Sequence, residues 1–305
     1  MLSEVSTLPA DDRLRAVQEM VRDRQSSMGP GQRRMATVLL SQPENLALRS
    51  LDENSASAEV HKSSWVRFAK SLGFSGYPEL ARLCREHVAE QNDLVRRFDH
   101  NLAHAGEAEE WNGLLIEAVQ ADIANISLTL GRIPEDTWTT TIGLLAEAPR
   151  VNVVGLRKCL PVAQLLAYLL RMVRPRVRLL APTTGELVDE VRELEGDEVL
   201  VAVSIRRYTA ATVQMAEEAH RRGCPVIAIT DDAASPLTSV ATTTIYCEGD
   251  SPFVFRSVSA LVSVSQVLAS AVAARLGTRS REQLRVDQEM LTAFQVYGSE
   301  PTNDI

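Results

Sequence analysis

Two stretches of this chain carry residues whose types and spacing could do chemistry. In the first, His61, Lys62, Ser63, Ser64, Arg67 and Lys70 set cations and compact hydroxyls along one short segment, while Val60, Trp65, Phe68 and Ala69 are apolar and can pack. A helix of this kind, preceded by another helix and a tight turn within 50–83, is the layout of a helix-turn-helix, whose second helix enters the major groove. Arg67 suits a guanine edge or a phosphate, and Lys62 and the serines suit phosphate or base contacts. On spacing alone, an ordinary charged surface helix fits equally well.

The second group is scattered. Gly155-Leu156-Arg157-Lys158, Ser204-Ile205-Arg206-Arg207-Tyr208-Thr209 and Thr230-Asp231-Asp232 each follow a short apolar run. If those runs are parallel strands, the three loops meet at their carboxyl ends, where open α/β sheets bind ligands and helix N-termini favour phosphate. Gly155 permits close backbone approach, and Arg157 and Lys158 bring positive charge. Ser204, Thr209 and Thr230 offer hydroxyls, and Arg206 and Arg207 a guanidinium pair. No glycine recurs between Gly155 and Gly185, so GxGxxG is missing, as is a P-loop lysine motif. No cofactor is expected.

Other chemistry is weakly supported. Aldose–ketose isomerisation needs a base, commonly a carboxylate. Glu186, Asp189 and Glu248 are candidates, but no pair is diagnostic and each reads as a solvated acid. His100 and His104, with Glu107 beyond, have the spacing of a metal clip, but a solvated linker is the better reading, and no metal site is expected. Cys159 beside Lys158 reads as a small core residue rather than an activated thiol. Cys84, Cys159, Cys224 and Cys247 are too scattered for a disulfide framework or zinc spacing.

The elements that must position these residues follow from pattern. The 305 residues suggest two domains at roughly 100–200 residues each, with 45% hydrophobic and 24% charged composition ordinary for a packed protein. The front reads as helices at 11–26, 33–40, 50–58, 62–71 and from Pro78 to about 92, with Pro43 a stop and Gly73 a helix terminator. Helices are expected again at 111–130 and 134–147. Then β-branched runs at 151–155, 177–180, 198–204, 225–230 and 242–247 alternate with helical patterns, which means a parallel sheet covered on both faces. With right-handed crossovers this is a doubly wound, flavodoxin-like fold. The uncharged stretch 257–274 is long enough to span a membrane, but its five serines favour a buried helix and no membrane partner. The expected division is a helical domain at 1–92, a linker at 93–110, an α/β domain at 111–278, and a C-terminal helix and tail at 279–305.

Charge is uneven. Residues 1–100 hold 14 Lys and Arg against 14 Asp and Glu, so the net charge of −8 lies entirely behind them. Such acidity excludes nonspecific coating of nucleic acid but not a basic face on the front domain. Met1–Asp12 has neither a basic start nor an apolar run, so no signal peptide is expected and cytoplasm is the default.

The run Arg67-Phe68-Ala69-Lys70, with Gly73-Phe74, Gly76-Tyr77 and Glu79-Leu80, resembles the end of the N-terminal domain of RpiR-type bacterial transcription regulators. Residues 29–51 are similar to that family's first helices, and the strand-rich half resembles its sugar isomerase (SIS) domain. The resemblance implies double-stranded operator DNA and a small anionic ligand, a sugar phosphate, as partners. It adds Ser235, in Ser235-Pro236-Leu237, to the ligand candidates, although an N-cap explains that serine as well. The departures are specific. Asn54 and Ser55 stand where the family has Leu-Ala, Glu59 where it has a turn glycine, His61 where it has Ser, Trp65 where it has a small aliphatic residue, and Arg206-Arg207 where it has Ser-Gly. A buried Asn without partners costs about 1–3 kcal/mol, and a non-glycine forced left-handed about 1–2 kcal/mol. Trp65 is expected to fill the volume the missing leucine leaves.

The expected function is a cytoplasmic regulator, not an enzyme, whose SIS domain senses an anionic metabolite and modulates operator affinity as a homodimer or tetramer. The alternatives are a sugar-phosphate isomerase or binding protein with a vestigial front domain, and a dimeric scaffold that does not bind DNA.

Overall fold

The computed structural model describes residues 10–25, 28–41, 43–92, 94–95, 97–98, 110–181 and 187–297. The chain forms two compact units, residues 1–111 with 253–255 and residues 112–252 with 256–305. Glu186, Gly185, His100, His104 and Glu107 lie outside the described residues.

The first unit is helical: α1 (Ala10–Arg24), α2 (Pro30–Ser41), α3 (Pro43–Leu48), α4 (Leu51–Ser57), α5 (Lys62–Ser71) and α6 (Tyr77–Asn92). Leu14, Val17 and Val21 of α1 recur at helical spacing and bury in a core with Leu39, Leu46, Trp65, Phe68, Leu72, Leu80 and Leu83. Helix α3 is not anticipated by the sequence pattern. Pro43 ends α2 but also opens α3, because proline's fixed φ and missing donor suit a first helical turn. Ser50 and Glu53 form a reciprocal capping box at the start of α4, each side chain accepting the other's backbone N–H, at 3.2 and 2.8 Å.

Two helix ends share one solution. After α5, Gly73 is left-handed (φ 94°), with Phe74 N–H donating to the Ala69 carbonyl and Gly73 N–H to that of Lys70. This is a Schellman motif, and glycine suits it. After α4 the same pair of bonds recurs, Val60 N–H to Ser55 and Glu59 N–H to Ala56, with Glu59 at φ 49°. The turn is thus built as a glycine turn without its glycine. Arg34 clamps it, donating to the carbonyls of Ala58 at 2.8 Å and Glu59 at 2.9 Å. Because Glu59 is exposed, Glu59→Gly removes only the steric cost, partly offset by added unfolded-chain entropy. We expect it to stabilise the front unit by about 0.5–1 kcal/mol. A thermal melt that fell instead would mean the Glu59 side chain itself holds the turn.

The second unit contains α7 (Glu110–Arg132), α8 (Glu135–Glu147), β1 (Val151–Gly155), α9 (Leu160–Val173), β2 (Val177–Leu180), α10 (Leu187–Arg192), β3 (Val199–Val203), α11 (Ala210–Arg221), β4 (Val226–Thr230), β5 (Thr243–Tyr246), α12 (Ser259–Leu276) and α13 (Thr278–Ala293). All strand pairs are parallel and their order is β2-β1-β3-β4-β5. Val151, Val153, Val199, Val201, Val203, Ile227 and Ile229 face a layer that includes α9 and α12. Val154, Leu180, Leu200, Ala202, Val226 and Ala228 face the layer holding α11. The period of two divides each strand between two covered faces, as the doubly wound fold requires. The buried helix expected in the stretch 257–274 is α12, which begins at Ser259, where the Ser257 hydroxyl accepts the Ser259 N–H at 3.1 Å. The reversal of strand order puts the switch point between β1 and β3, so the loops after β1, β3 and β4 lie on the expected edge.

Candidate DNA-binding helix and ligand site

Helix α5 sorts its residues by period. Trp65, Phe68 and Ala69 are buried, whereas Lys62, Ser63, Arg67 and Lys70 are exposed along the opposite face. His61 is the exposed N-cap residue and its side chain makes no capping bond. Ser64 is half-buried on the flank, away from the line through Ser63, Arg67 and Lys70. Lys62 is ion-paired with Asp52 of α4. The exposed groups thus offer two fixed cations and a hydroxyl, and a third cation held by a competing carboxylate.

The departures at 54 and 55 behave differently from each other. Asn54 is buried but not partnerless, because its Nδ2 lies within hydrogen-bond distance of the Asn45 carbonyl (2.9 Å), the Arg49 carbonyl (3.3 Å) and the Tyr77 hydroxyl (2.9 Å). Its Oδ1 and the Ser55 hydroxyl are buried without hydrogen bonds. Trp65 Nε1 donates to the Asn54 backbone carbonyl at 3.3 Å. Trp65 stacks edge-to-face on Phe68 and Tyr77, with ring centres 5.9 and 5.8 Å away. The polar residue in the family's leucine position is therefore absorbed into a network of Asn54, Trp65 and Tyr77. Burial raises the Tyr77 hydroxyl's pKa, which keeps it protonated within that network.

In the second unit eight of the nine ligand candidates separate into two sets, and Arg206 stands apart from both. Gly155 is buried, and a Cβ there would come within 2.9 Å of both Ala163 Cβ and the Cys159 carbonyl. The close approach it permits is to the protein's own α9. The Ser204 hydroxyl accepts the Thr209 N–H at 3.2 Å. Thr230 Oγ1 lies 2.7 Å from the Ser204 carbonyl and 2.8 Å from Ser235 Oγ, and Ser235 caps the turn at Leu237. These four residues brace the loops from inside. Arg157, Lys158 and Arg207 are exposed, and Thr209 is half-buried at the start of α11.

Arg206 belongs with neither a free guanidinium nor a closed lid. It is buried, its Nη2 is 3.1 Å from Asp232 Oδ2, and its backbone N–H donates to Asp231 Oδ2 at 3.1 Å. Lys158 Nζ donates to the Arg206 carbonyl at 3.0 Å, tying the loop after β1 to the loop after β3. Nothing in the sequence marks Asp231 and Asp232 as partners of that arginine.

The other candidates are structural. Cys159 is buried and burial pushes its thiol pKa up, the reverse of activation. Burial likewise pushes Cys224 up to about 11. Asp189 pairs with Arg192 at 2.7 Å and Glu248 with Arg132 at 2.9 Å, both exposed. Among the described residues no three His, Cys, Asp or Glu side chains gather as a metal set. Among the described residues two helices, Gly113–Arg132 and Ser259–Leu276, are long and apolar enough by composition to cross a membrane. The second packs into the sheet's core layer. The first exposes Leu115, Ile116, Val119 and Ile123 on one side.

Comparison with known proteins matches both halves. Residues 16–91 fit the family model of the rpiR-family helix-turn-helix domain, and residues 144–274 fit that of the SIS domain. The chain is 24% identical over 277 residues to the HTH-type transcriptional regulator HexR of Escherichia coli (strain K12), covering 90% of this chain and 93% of that one. The sugar isomerase domain of an RpiR transcription factor from Sphaerobacter thermophilus is 25% identical, with a TM-score of 0.56, over 58% of this chain and 98% of that one. The Vibrio vulnificus NanR protein, solved in complex with ManNAc-6P, is alike in fold, with 14% identity and a TM-score of 0.55 over 91% of this chain and 99% of that one.

Proposed function

Because the chain belongs to the RpiR-type transcriptional regulators, an rpiR-family helix-turn-helix domain followed by a SIS domain, we propose that residues 1–92 bind operator DNA and that the SIS domain senses a phosphorylated sugar and modulates that binding. The observation that carries the DNA half is α5: its apolar face is locked in the core and its opposite face presents Ser63, Arg67 and Lys70. Arg67 reads a base edge, and Lys70, Ser63 and His61 hold the backbone.

Lys62 is a latent phosphate contact, held by Asp52. Asp52→Asn is expected to strengthen DNA binding several-fold and to steepen the dependence of log affinity on log salt by about 0.9, one released counterion. An unchanged slope would show that Lys62 faces no phosphate.

For the ligand half, the exposed Arg157, Lys158 and Arg207 beside the switch point suit an anion. The ManNAc-6P held by NanR supports the class, a sugar phosphate, and no particular sugar. The role is sensory rather than catalytic: Asp189 and Glu248 stand in exposed ion pairs rather than as an acid–base pair. The protein acts in the cytoplasm, where both partners are.

A single helix-turn-helix contacts too few base pairs for useful selectivity, and two-fold pairs read palindromes. We place the contact between copies at α7, whose Ile116, Val119 and Ile123 lie 57–59% exposed at helical spacing. Helix α1 uses its apolar residues within the front core instead. A ligand that prefers one arrangement of the two copies changes DNA affinity, and DNA then changes ligand affinity by the same factor. The test is calorimetry of a sugar-phosphate panel on the full chain with and without upstream DNA. Equal affinities in both conditions would refute the coupling.

A further inference from the structure

If an anion binds at the carboxyl edge of the sheet, the reading on which this inference rests, the same loops must also meet the group that carries the charge. Asp231 is the first residue after β4, and its side chain is only 8% exposed. One carboxylate oxygen, Oδ2, accepts the Arg206 N–H. The other, Oδ1, is buried and makes no hydrogen bond. The Tyr208 hydroxyl, two residues past Arg206, is buried and also makes none.

Buried polar atoms without partners are rare, and a buried tyrosine hydroxyl normally finds one. Two in one group of strand-end loops form a polar site that lacks its complement. Burial raises the pKa of Cys159, Tyr208 and Cys247, and the negative field of Asp231 adds to the rise at each. Asp231 thus opens the loop after β4, contacts the loop after β3 through the Arg206 N–H, and extends its field to Cys159 after β1 and Cys247 after β5. Thiols are poor donors for a carboxylate, and the Tyr208 phenol lies close enough to Asp231 to interact with it but does not close a hydrogen bond of good geometry on it. Meanwhile Arg206 is held by Asp231 and Asp232, and the exposed cations of these loops are Arg157, Lys158 and Arg207. The interior of the site accepts hydrogen bonds and its rim is cationic.

We propose that Asp231 Oδ1 and the Tyr208 hydroxyl form a hydroxyl-recognition subsite. The ligand is then a polyhydroxylated anion whose hydroxyls enter at Asp231 while its anionic group stays with Arg157, Lys158 and Arg207. Asp231 has a second duty, bracing Arg206 through Oδ2, so the two roles must be separated experimentally.

Calorimetry on the full chain with inorganic phosphate and a panel of pentose and hexose phosphates does so, using the wild type, Tyr208→Phe and Asp231→Asn. The best sugar phosphate should exceed inorganic phosphate in affinity. Tyr208→Phe should weaken that sugar phosphate about three- to tenfold and Asp231→Asn about ten- to hundredfold, with inorganic phosphate unchanged. Tyr208→Phe should melt at the same temperature or higher, because it deletes a buried hydroxyl that has no partner. Equal losses for sugar phosphate and inorganic phosphate would overturn the subsite and leave Asp231 as the brace of Arg206. Unchanged affinities in both variants would overturn it too. Inorganic phosphate binding with no gain from any sugar would refute the subsite while leaving the anion site standing. No binding of any probe to the wild type would refute the anion site and the subsite together.

Discussion

Trp65→Ala is expected to unfold the front unit and to abolish DNA binding with it. Trp65 is fully buried, lies edge-to-face on Phe68 and Tyr77, and donates its indole N–H to the Asn54 carbonyl. Removing a buried tryptophan costs about 3–5 kcal/mol through lost transfer energy and the cavity left behind. That is a large share of the stability of a domain this small, about 5–15 kcal/mol. The loss reaches further than volume, because Tyr77, which Trp65 packs against, is also a partner of the Asn54 amide. Without Trp65 the helix carrying Arg67 and Lys70 loses its anchor. Thermal melting by circular dichroism measures the effect. A variant within about 0.5 kcal/mol of wild type, the range of ordinary surface changes, would mean that Trp65 does not replace the missing leucine.

Arg67→Ala should do the opposite, leaving the fold intact and destroying selectivity. Arg67 is exposed on the face of α5 opposite Trp65 and Phe68, so its loss should move stability by less than about 0.5 kcal/mol. A bidentate arginine–guanine contact is worth about 1–3 kcal/mol of discrimination, so operator affinity should fall about 5- to 150-fold. Affinity for unrelated DNA should fall far less. Equal losses on both DNAs would assign Arg67 to a phosphate, and no loss on either would remove α5 from the interface.

Much of this arrangement is legible in the residues. The five strands stand out because a parallel strand covered on both faces reads as an unbroken β-branched run. The exposed face of α5 follows from the spacing of Trp65, Phe68 and Ala69. Helix α3 is hidden because Pro43 looks the same as a stop and as a start. The beginning of α12 is blurred because Phe253-Val254-Phe255 carries apolar residues without a helical period.

The site is less legible than the fold, for a physical reason. Gly155, Ser204, Thr230 and Ser235 have the residue types of a ligand loop, yet types alone do not reveal that each already has an internal partner. The pairing of Arg206 with Asp231 and Asp232 depends on the register of β3 against β4, which no local pattern encodes. Arg34 is hidden in the same way: it reads as one more exposed arginine until the turn brings the Ala58 and Glu59 carbonyls to it. The capping box at Ser50 and Glu53 is open to view, since serine followed three residues later by glutamate is its signature.

Whether this front unit, with Glu59 in a glycine's place and Asn54 in a leucine's, reads DNA is the central question. Fluorescence anisotropy of the full chain on its own upstream DNA, and on unrelated DNA of equal length, at two salt concentrations answers it most directly. The expected result is tighter binding to the upstream DNA, with affinity falling steeply as salt rises because cations on α5 displace counterions. Equal, weak affinity for both DNAs at low salt, lost alike at high salt, would contradict a DNA-reading front unit.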